Sequence, residues 1–83
     1  MEKEIGRITH FFDKVSVAVI ELSHTVRVGD VIHVKGSTTD FIQKIDSMQI
    51  EHEEIEEANS GDAIGLKVDE KVRPGDRVLL VQK

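Results

Sequence analysis

The chain has 83 residues, contains no cysteine and carries 16 acidic against 11 basic residues, for a formal net charge of -5. This length suits one small domain, residues 1–83, and the lack of cysteine excludes disulfide bonds and thiolate metal sites, as expected for a cytoplasmic protein. The acidic balance argues against binding polyanions by bulk electrostatics, and three Phe as the only aromatic residues cannot form a broad base-stacking platform. No apolar run approaches the roughly 20 residues that span a bilayer, so we expect no membrane association.

Apolar residues, many of them β-branched, alternate with polar residues along most of the chain, and this period-two pattern predicts strands. Six segments show it: residues 4–12, 15–22, 31–35, 40–50, 63–68 and 77–81. Closing six short strands into a barrel would remove the exposed sheet edges. We therefore predict an all-β fold that closes as a small barrel.

The alternation also predicts which side chains fill the barrel. His10 has the same inward parity as Ile8 and is predicted to be a hydrogen-bonded packing residue or a group at the end of the barrel. Ile45 and Met48 are three residues apart, so a bulge between them is required if both point inward. The predicted inward set is Ile8, Phe12, Ile32, Val34, Ile45, Met48, Ile50, Ile64, Leu66, Val68, Val78 and Leu80.

A Gly-Asp pair precedes a predicted strand three times. Val-Arg-x-Gly-Asp occurs at residues 26–30 and again at 72–76, and a third Gly-Asp pair lies at 61–62. In the second copy, Pro presets φ at the second turn position and Gly accepts a positive φ at the third, which is typical of a type II turn. The predicted structural turn residues are Gly29, Asp30, Gly61, Asp62, Pro74, Gly75 and Asp76.

Four segments in this order resemble the β-barrel of translation factors: GRIT at 6–9, VRVGDVIHVKG at 26–36, IDSMQIEHEEIEEANSGDAIGLKV at 45–68 and VRPGDRV at 72–78. The likeness covers nearly the whole chain and is closest to the second domain of elongation factor Tu. The last segment is also similar to the end of the barrel at the C-terminus of initiation factor two. The resemblance implies a closed six-stranded antiparallel Greek-key β-barrel, which also occurs as an accessory domain after the catalytic part of U32-type peptidases.

In elongation factor Tu the resembled barrel helps to hold the aminoacyl end of tRNA. The matching strand here carries Gln49, Glu51 and His52, and Ala63 occupies a position where the family has Asn, so the gripping groups differ. The acidic run from Glu51 to Glu57 would repel a phosphodiester nearby, which disfavours tRNA as a ligand. The candidate binding surface comprises Arg7, Phe11, Gln49, Glu51, His52 and Ala63.

A second surface follows from the segment at 15–22, which is apolar on both faces. Ala18, Ile20 and Leu22 form the face that a barrel needs, so the other face is either covered by a neighbouring segment or exposed to a partner. Self-association is a further alternative. The candidate partner patch consists of Val15, Val17, Val19 and Val31.

The acidic segment at 50–59 has two interpretations. It is either a loop between two barrel strands or a short amphipathic helix. Its carboxylates either face solvent or form a docking surface for a basic partner.

The sequence offers little catalytic chemistry. It lacks GxxxxGK[ST], so no nucleotide is expected, and its four His residues lack the spacing of known ligand sets, so no metal or other cofactor is expected. No pair of residues has the spacing of a nucleophile and its base. The chain is therefore predicted not to be an enzyme.

Two functional hypotheses remain. The first is a non-catalytic binding module that contacts RNA, a ribosome-associated particle or a protein in a translation-related setting. The second is a protein–protein adaptor, or an accessory barrel that docks on an enzyme such as a U32-type peptidase.

Overall fold

The structure is a computed structural model that describes residues 2–81. Within these residues it contains ten strands and no helix. The strands are β1 (Glu2–Phe12), β2 (Val17–Leu22), β3 (Val26–Arg27), β4 (Val31–Lys35), β5 (Asp40–Lys44), β6 (Met48–Ile50), β7 (Glu53–Ile55), β8 (Glu57–Ala58), β9 (Ala63–Lys67) and β10 (Arg77–Val81). No helix in this part of the chain is long and apolar enough to cross a membrane.

Eight of the strands form one antiparallel sheet in the order β5-β4-β10-β1-β2-β9-β6-β7, and β3 pairs with β8 in a second sheet. The predicted all-β, antiparallel architecture is confirmed. Across residues 2–81 no ladder joins the outer strands β5 and β7, so the pairing does not form the closed six-stranded order.

The core lies on one face of the large sheet and is filled by aliphatic side chains. Most of the predicted inward residues are buried, together with several that were not predicted, among them Ile5, Val26 and Val72. Ile20 and Leu66 are each 1% exposed, as the period-two patterns of β2 and β9 require.

The predicted orientation of the end of β1 is wrong. The register passes from Ile8 opposite Ile20 directly to His10 opposite Val19, so the strand contains a bulge at Thr9. One extra residue moves every later side chain to the other face of the sheet. Phe11 therefore packs against the core, whereas His10 is exposed and Phe12 is 50% exposed.

The predicted strand at 40–50 is interrupted between β5 and β6. Ile45 and Met48 are both 1% exposed, as predicted, and the chain leaves strand geometry between them. The Ile45 N–H donates to the Asp30 carbonyl at 2.8 Å, and the Ile45 carbonyl accepts from the Gly29 N–H at 2.8 Å. The backbone of Ile45 thus bonds to the first Gly-Asp turn.

The three Gly-Asp pairs lie in turns of one design. Their glycines have φ values of 99°, 93° and 96°, at the third turn position. Each Asp N–H donates to the carbonyl three residues earlier, at 3.0 to 3.1 Å, and each Asp Oδ2 accepts from the N–H of that same residue, at 2.8 to 2.9 Å. The aspartate side chain therefore closes each turn a second time. The residue pairs are Arg27 with Asp30, Asn59 with Asp62 and Arg73 with Asp76.

The acidic segment is neither the predicted loop nor a helix. Its first part is β7, which pairs with β6, and its second part is β8, which pairs with β3. Ile50 and Ile55 pack against the core and Ala58 is buried, so apolar residues hold the segment in place while its glutamates remain exposed.

Candidate functional site

A groove with a volume of about 470 Å³ lies on the face of the sheet opposite the core. It extends over β2, β6 and β9, the end of β1 and the turn between β6 and β7. We call it the valine groove. It is lined by Phe12, Val15, Val17, Val19, Gln49, Glu51, His52, Ala63, Ile64 and Gly65.

The wall of the valine groove follows from the alternation of β2. Ala18 and Ile20 are buried in the core, so Val17 and Val19 between them point to the opposite face and are half-buried there. Val15 lies in the connection before β2 and is 59% exposed. Three β-branched side chains thus present an apolar surface to solvent on one side of the groove.

The floor of the groove depends on the absence of a side chain at Gly65. Gly65 lies in the middle of β9, opposite Val19 on one side and Gln49 on the other. A Cβ atom placed there would meet the nearest side-chain atom, Val17 Cγ1, at 3.6 Å, which is an ordinary van der Waals contact. Glycine weakens a strand interior and often marks a place where a ligand or another backbone approaches closely. No steric demand of the fold explains this glycine.

Phe12 forms the end of the groove nearest the β1–β2 connection. It lies opposite Val17 in the ladder, and its ring packs on the ring of His10 with a centroid distance of 4.4 Å and an interplanar angle of 51°. The bulge at Thr9 brings both rings to this face. The aromatic edge of the valine groove is therefore a consequence of the extra residue at Thr9.

The opposite rim is the two-residue connection between β6 and β7. Glu51 and His52 have φ values of 50° and 68°, in the left-handed region. A tight hairpin turn with positive φ at both central residues is usually built from Asn-Gly, because other L-residues are strained there. Strain of this kind tends to occur at functional sites. The two strained residues are also the two polar side chains of the rim.

The groove is apolar with an acidic rim. Its lining contains one carboxylate, Glu51, and no Lys or Arg. Glu21 lies opposite Ala63 in the β2–β9 ladder, and Ala63 lines the same end. Among residues 2–81, Glu51 forms no ion pair, so its charge is free to interact with a ligand.

The structure brings together most residues of the two predicted surfaces. Four members of the predicted binding surface and three members of the predicted partner patch line the same groove, because β6 and β2 flank β9. Arg7, Phe11 and Val31 do not belong to the lining. Arg7 is exposed on β1, Phe11 packs against the core and Val31 is half-buried on β4.

The sequence analysis missed Phe12, Ile64 and Gly65 as lining residues. Phe12 could not be placed because the pattern of apolar residues does not mark the bulge. Gly65 carries a signal, since a glycine within a strand of β-branched and apolar neighbours is unusual.

A separate polar cluster lies outside the groove at His33 on β4. His33 Nδ1 is 2.6 Å from Glu2 Oε2, and His33 Nε2 is hydrogen-bonded to Asp40 Oδ1. The pKa of His33 is raised above its usual 6.5, mainly by the hydrogen bond to Asp40 and secondly by the one to Glu2. The hydrogen bond between His33 and Asp40 also lowers the pKa of Asp40. The cluster ties the start of β1 to the β4–β5 pair. No group of three or more metal-ligating side chains with the geometry to hold an ion occurs in the described part of the chain.

Comparison with known proteins relates the chain to peptidases. It is 46% identical over 81 residues to an uncharacterized protease of Methanocaldococcus jannaschii, a match that covers 96% of the chain and 20% of the protease. It is 35% identical over 81 residues to a collagenase of Porphyromonas gingivalis, covering 95% of the chain and 22% of the collagenase. The chain is homologous to a segment of these proteins. It spans about a fifth of their length.

The fold has a close counterpart among solved structures. The C-terminal domain of a Geobacillus thermoleovorans protein described as a U32 peptidase superposes with a TM-score of 0.90 at 18% identity, over 96% of this chain and 93% of that one. Its selenomethionine variant gives a TM-score of 0.87 at 19% identity. No family model matches the chain.

These relatives contradict one prediction and favour one of the two functional hypotheses. The prediction that the chain is not an enzyme is contradicted, because its curated relatives are named protease and collagenase and the chain corresponds to part of each. The relatives also favour a peptidase-related setting over a translation-related one.

Proposed function

We propose that the chain is the accessory barrel of a U32-type peptidase and that it docks on the remainder of the peptidase, as a fused domain or as a separate subunit. The observation that carries this proposal is the 46% identity over 96% of the chain to a segment that makes up only 20% of a protease. A segment of that size within a larger enzyme needs a surface that faces the rest of it. The valine groove is the apolar surface that the sheet leaves uncovered.

The composition is consistent with a protein rather than a nucleic acid as the partner. The net charge is -5, and the acidic rim of the groove would repel a phosphate backbone. Phe12 is the only Phe, Tyr or Trp among the lining residues, whereas base-stacking sites usually employ several such rings.

We also propose that six strands of the large sheet, in the order β5-β4-β10-β1-β2-β9, close as the Greek-key barrel of the translation-protein type. The amide of Gln43 on β5 supports this view, because its Nε2 donates to the Lys67 carbonyl at 3.0 Å and its Oε1 accepts from the Asp69 N–H at 2.8 Å. One side chain thus bonds the outer strand β5 to the end of β9 in place of a backbone ladder.

The test is binding in trans. The Methanocaldococcus jannaschii protease is produced without the segment that the chain matches, and its association with the chain is measured by titration calorimetry and by analytical ultracentrifugation. We expect a complex of one chain with one truncated protease. Absence of binding, with both proteins folded, would refute the docking proposal. A chain that self-associates and does not bind the protease would support a homo-oligomer instead.

A matched pair of variants shows whether an exposed apolar surface is used. Val17→Asp places a charge in the valine groove, and Ile42→Asp places the same charge at an apolar residue of β5 that is 58% exposed and outside the groove. We expect Val17→Asp to abolish binding while its thermal transition stays cooperative, and Ile42→Asp to bind as the unmodified chain does. Loss of the cooperative transition in Val17→Asp would mean that this face contributes to the core.

A further inference from the structure

We propose that the valine groove holds an extended segment of the partner in which one apolar side chain lies over Gly65 and a neighbouring basic side chain pairs with Glu51. This inference rests on the proposed function for the identity of the partner, the remainder of the peptidase. It adds the chemistry of the docked segment and the two residues of this chain that select it.

The first argument is the space above Gly65. The neighbouring walls are formed by Val17 and Val19 on one side and by Gln49 on the other, so an apolar side chain entering here is contacted from both flanks. The volume of about 470 Å³ falls within the roughly 300 to 1,000 Å³ typical of ligand pockets. Any residue larger than glycine at position 65 would occupy this space itself.

The second argument is charge complementarity. Glu51 is the one carboxylate of the lining, no Lys or Arg lies beside it there, and Glu53 and Glu54 follow directly on β7. A basic side chain is therefore attracted to this rim and an acidic one is repelled. The chain as a whole reinforces this preference, with 16 acidic against 11 basic residues.

The third argument is the fixed backbone conformation at Glu51. Glu51 and His52 both have a positive φ in a two-residue turn, and the flanking strands hold this conformation through the pairs Ile50–Glu53, Gln49–Glu54 and Met48–Ile55. A group that is already held in its bound position loses less freedom when the ligand arrives. The strained turn therefore fixes the backbone from which the Glu51 side chain extends at the rim of the groove.

The experiment compares the affinities of Gly65→Ala, Gly65→Val and Glu51→Gln for the truncated protease, with Glu70→Gln as the control for charge. Glu70 is an exposed residue between β9 and β10 that does not line the groove. We expect affinity to fall in the order Gly, Ala, Val at position 65, with Val weakening binding by at least about tenfold. We expect Glu51→Gln to weaken binding and to reduce its dependence on salt, and Glu70→Gln to change neither.

The outcomes separate this inference from the proposed function. If the unmodified chain binds and folded Gly65→Val binds equally well, docking stands and the groove is the wrong site. If the unmodified chain does not bind, both proposals fail. Methyl NMR of the unmodified chain gives a test without any substitution: binding must shift the Val17 and Val19 methyl signals and leave those of Val28 unchanged. Binding without shifts at Val17 and Val19 would overturn the inference.

Discussion

Replacing Gly75 by valine tests the turn geometry on which the strand order depends. Gly75 has a φ of 96°, and nothing lies within 4 Å of the position that a Cβ atom would occupy. The substitution therefore meets no steric obstacle from neighbouring residues, and its whole effect comes from the backbone conformation. Valine resists positive φ more than most residues because its side chain branches at Cβ.

The expected magnitude combines two opposing effects. A left-handed conformation costs an L-residue about 1–2 kcal/mol, and a φ of 96° lies beyond the usual left-handed minimum, which favours the upper end. Replacing glycine also restricts the unfolded chain, which returns about 0.4–1 kcal/mol. With a strain cost of about 2 kcal/mol, we expect the free energy of unfolding to fall by about 1–1.5 kcal/mol, which lowers the Tm of a domain of this size by roughly 4–12 °C.

The turn cannot easily relax to relieve this strain. The Gly75 N–H donates to the Ile8 carbonyl at 2.8 Å, and the Ile8 N–H donates to the Asp76 carbonyl at 2.8 Å. A change of φ at position 75 would break bonds that join the turn to β1 next to the bulge. Any relaxation therefore exchanges strain for lost hydrogen bonds, so the loss of stability remains.

The assay is thermal and urea unfolding followed by circular dichroism, with Gly65→Val as the matched control. Gly65 does not have a positive φ, and its Cβ position is free of close contacts. Valine there removes a glycine from a strand interior, so we expect stability to stay equal or to rise by up to about 1 kcal/mol. A Gly75→Val protein as stable as the unmodified chain would refute the assignment of a glycine-dependent turn.

Three further predictions concern other parts of the sheet. Gln43→Leu should lower the free energy of unfolding by about 1–3 kcal/mol, because it leaves two backbone groups that bond to the amide without a partner. Urea unfolding measures this loss, and an unchanged urea midpoint would contradict the prediction. The double change Glu51→Asn with His52→Gly should raise stability by about 1 kcal/mol, because these residues accept positive φ, and a lower Tm would contradict the strain. His33→Gln should remove a stabilisation that is fully present below pH 6.5 and is lost as pH rises through the raised pKa of His33. Between pH 5.5 and 8.5, the difference in Tm between the variant and the unmodified chain should therefore shrink toward the alkaline end. A difference that grows there would refute the prediction.

The alternation of apolar residues was sufficient to predict the core faces of β2, β4, β9 and β10. The burial of β2, β4 and β9 keeps a regular period of two, so one buried residue fixes the side of all the others, whereas in β10 Val78 is buried and the three residues after it are half-buried. The prediction for the end of β1 was wrong because it assumed the same regular period. A bulge changes the parity of the strand, and neither Thr9 nor its neighbours carry a sequence signal for an extra residue.

The hairpin of β6 and β7 was missed because its turn lacks the usual residues. Two-residue hairpin turns are recognised from Asn-Gly or similar pairs, and here Glu51 and His52 occupy both central positions. The glutamates that follow are poor strand formers as well. Tertiary pairing with β6 and the burial of Ile55 outweigh these local preferences.

The site was predicted in two separate halves, and only the register of the sheet joins them. Val17 and Val19 were predicted from the second apolar face of one segment, whereas Gln49 and Ala63 came from a family resemblance. Neither line of reasoning contains the pairing of β9 with both β2 and β6, which makes the two halves neighbours. Contacts between segments distant in sequence are the part of a small β-protein that local patterns do not encode.

The two glycines at positions 65 and 75 show how the same residue serves the fold and the site differently. At Gly75 the backbone conformation needs glycine, and the space around it is empty. At Gly65 the backbone does not need glycine, and a side chain there would lie in the groove. The same change to valine should therefore lower stability and spare binding at position 75, and spare stability and weaken binding at position 65. Opposite responses at the two positions would separate the requirements of folding from those of docking within one 83-residue chain.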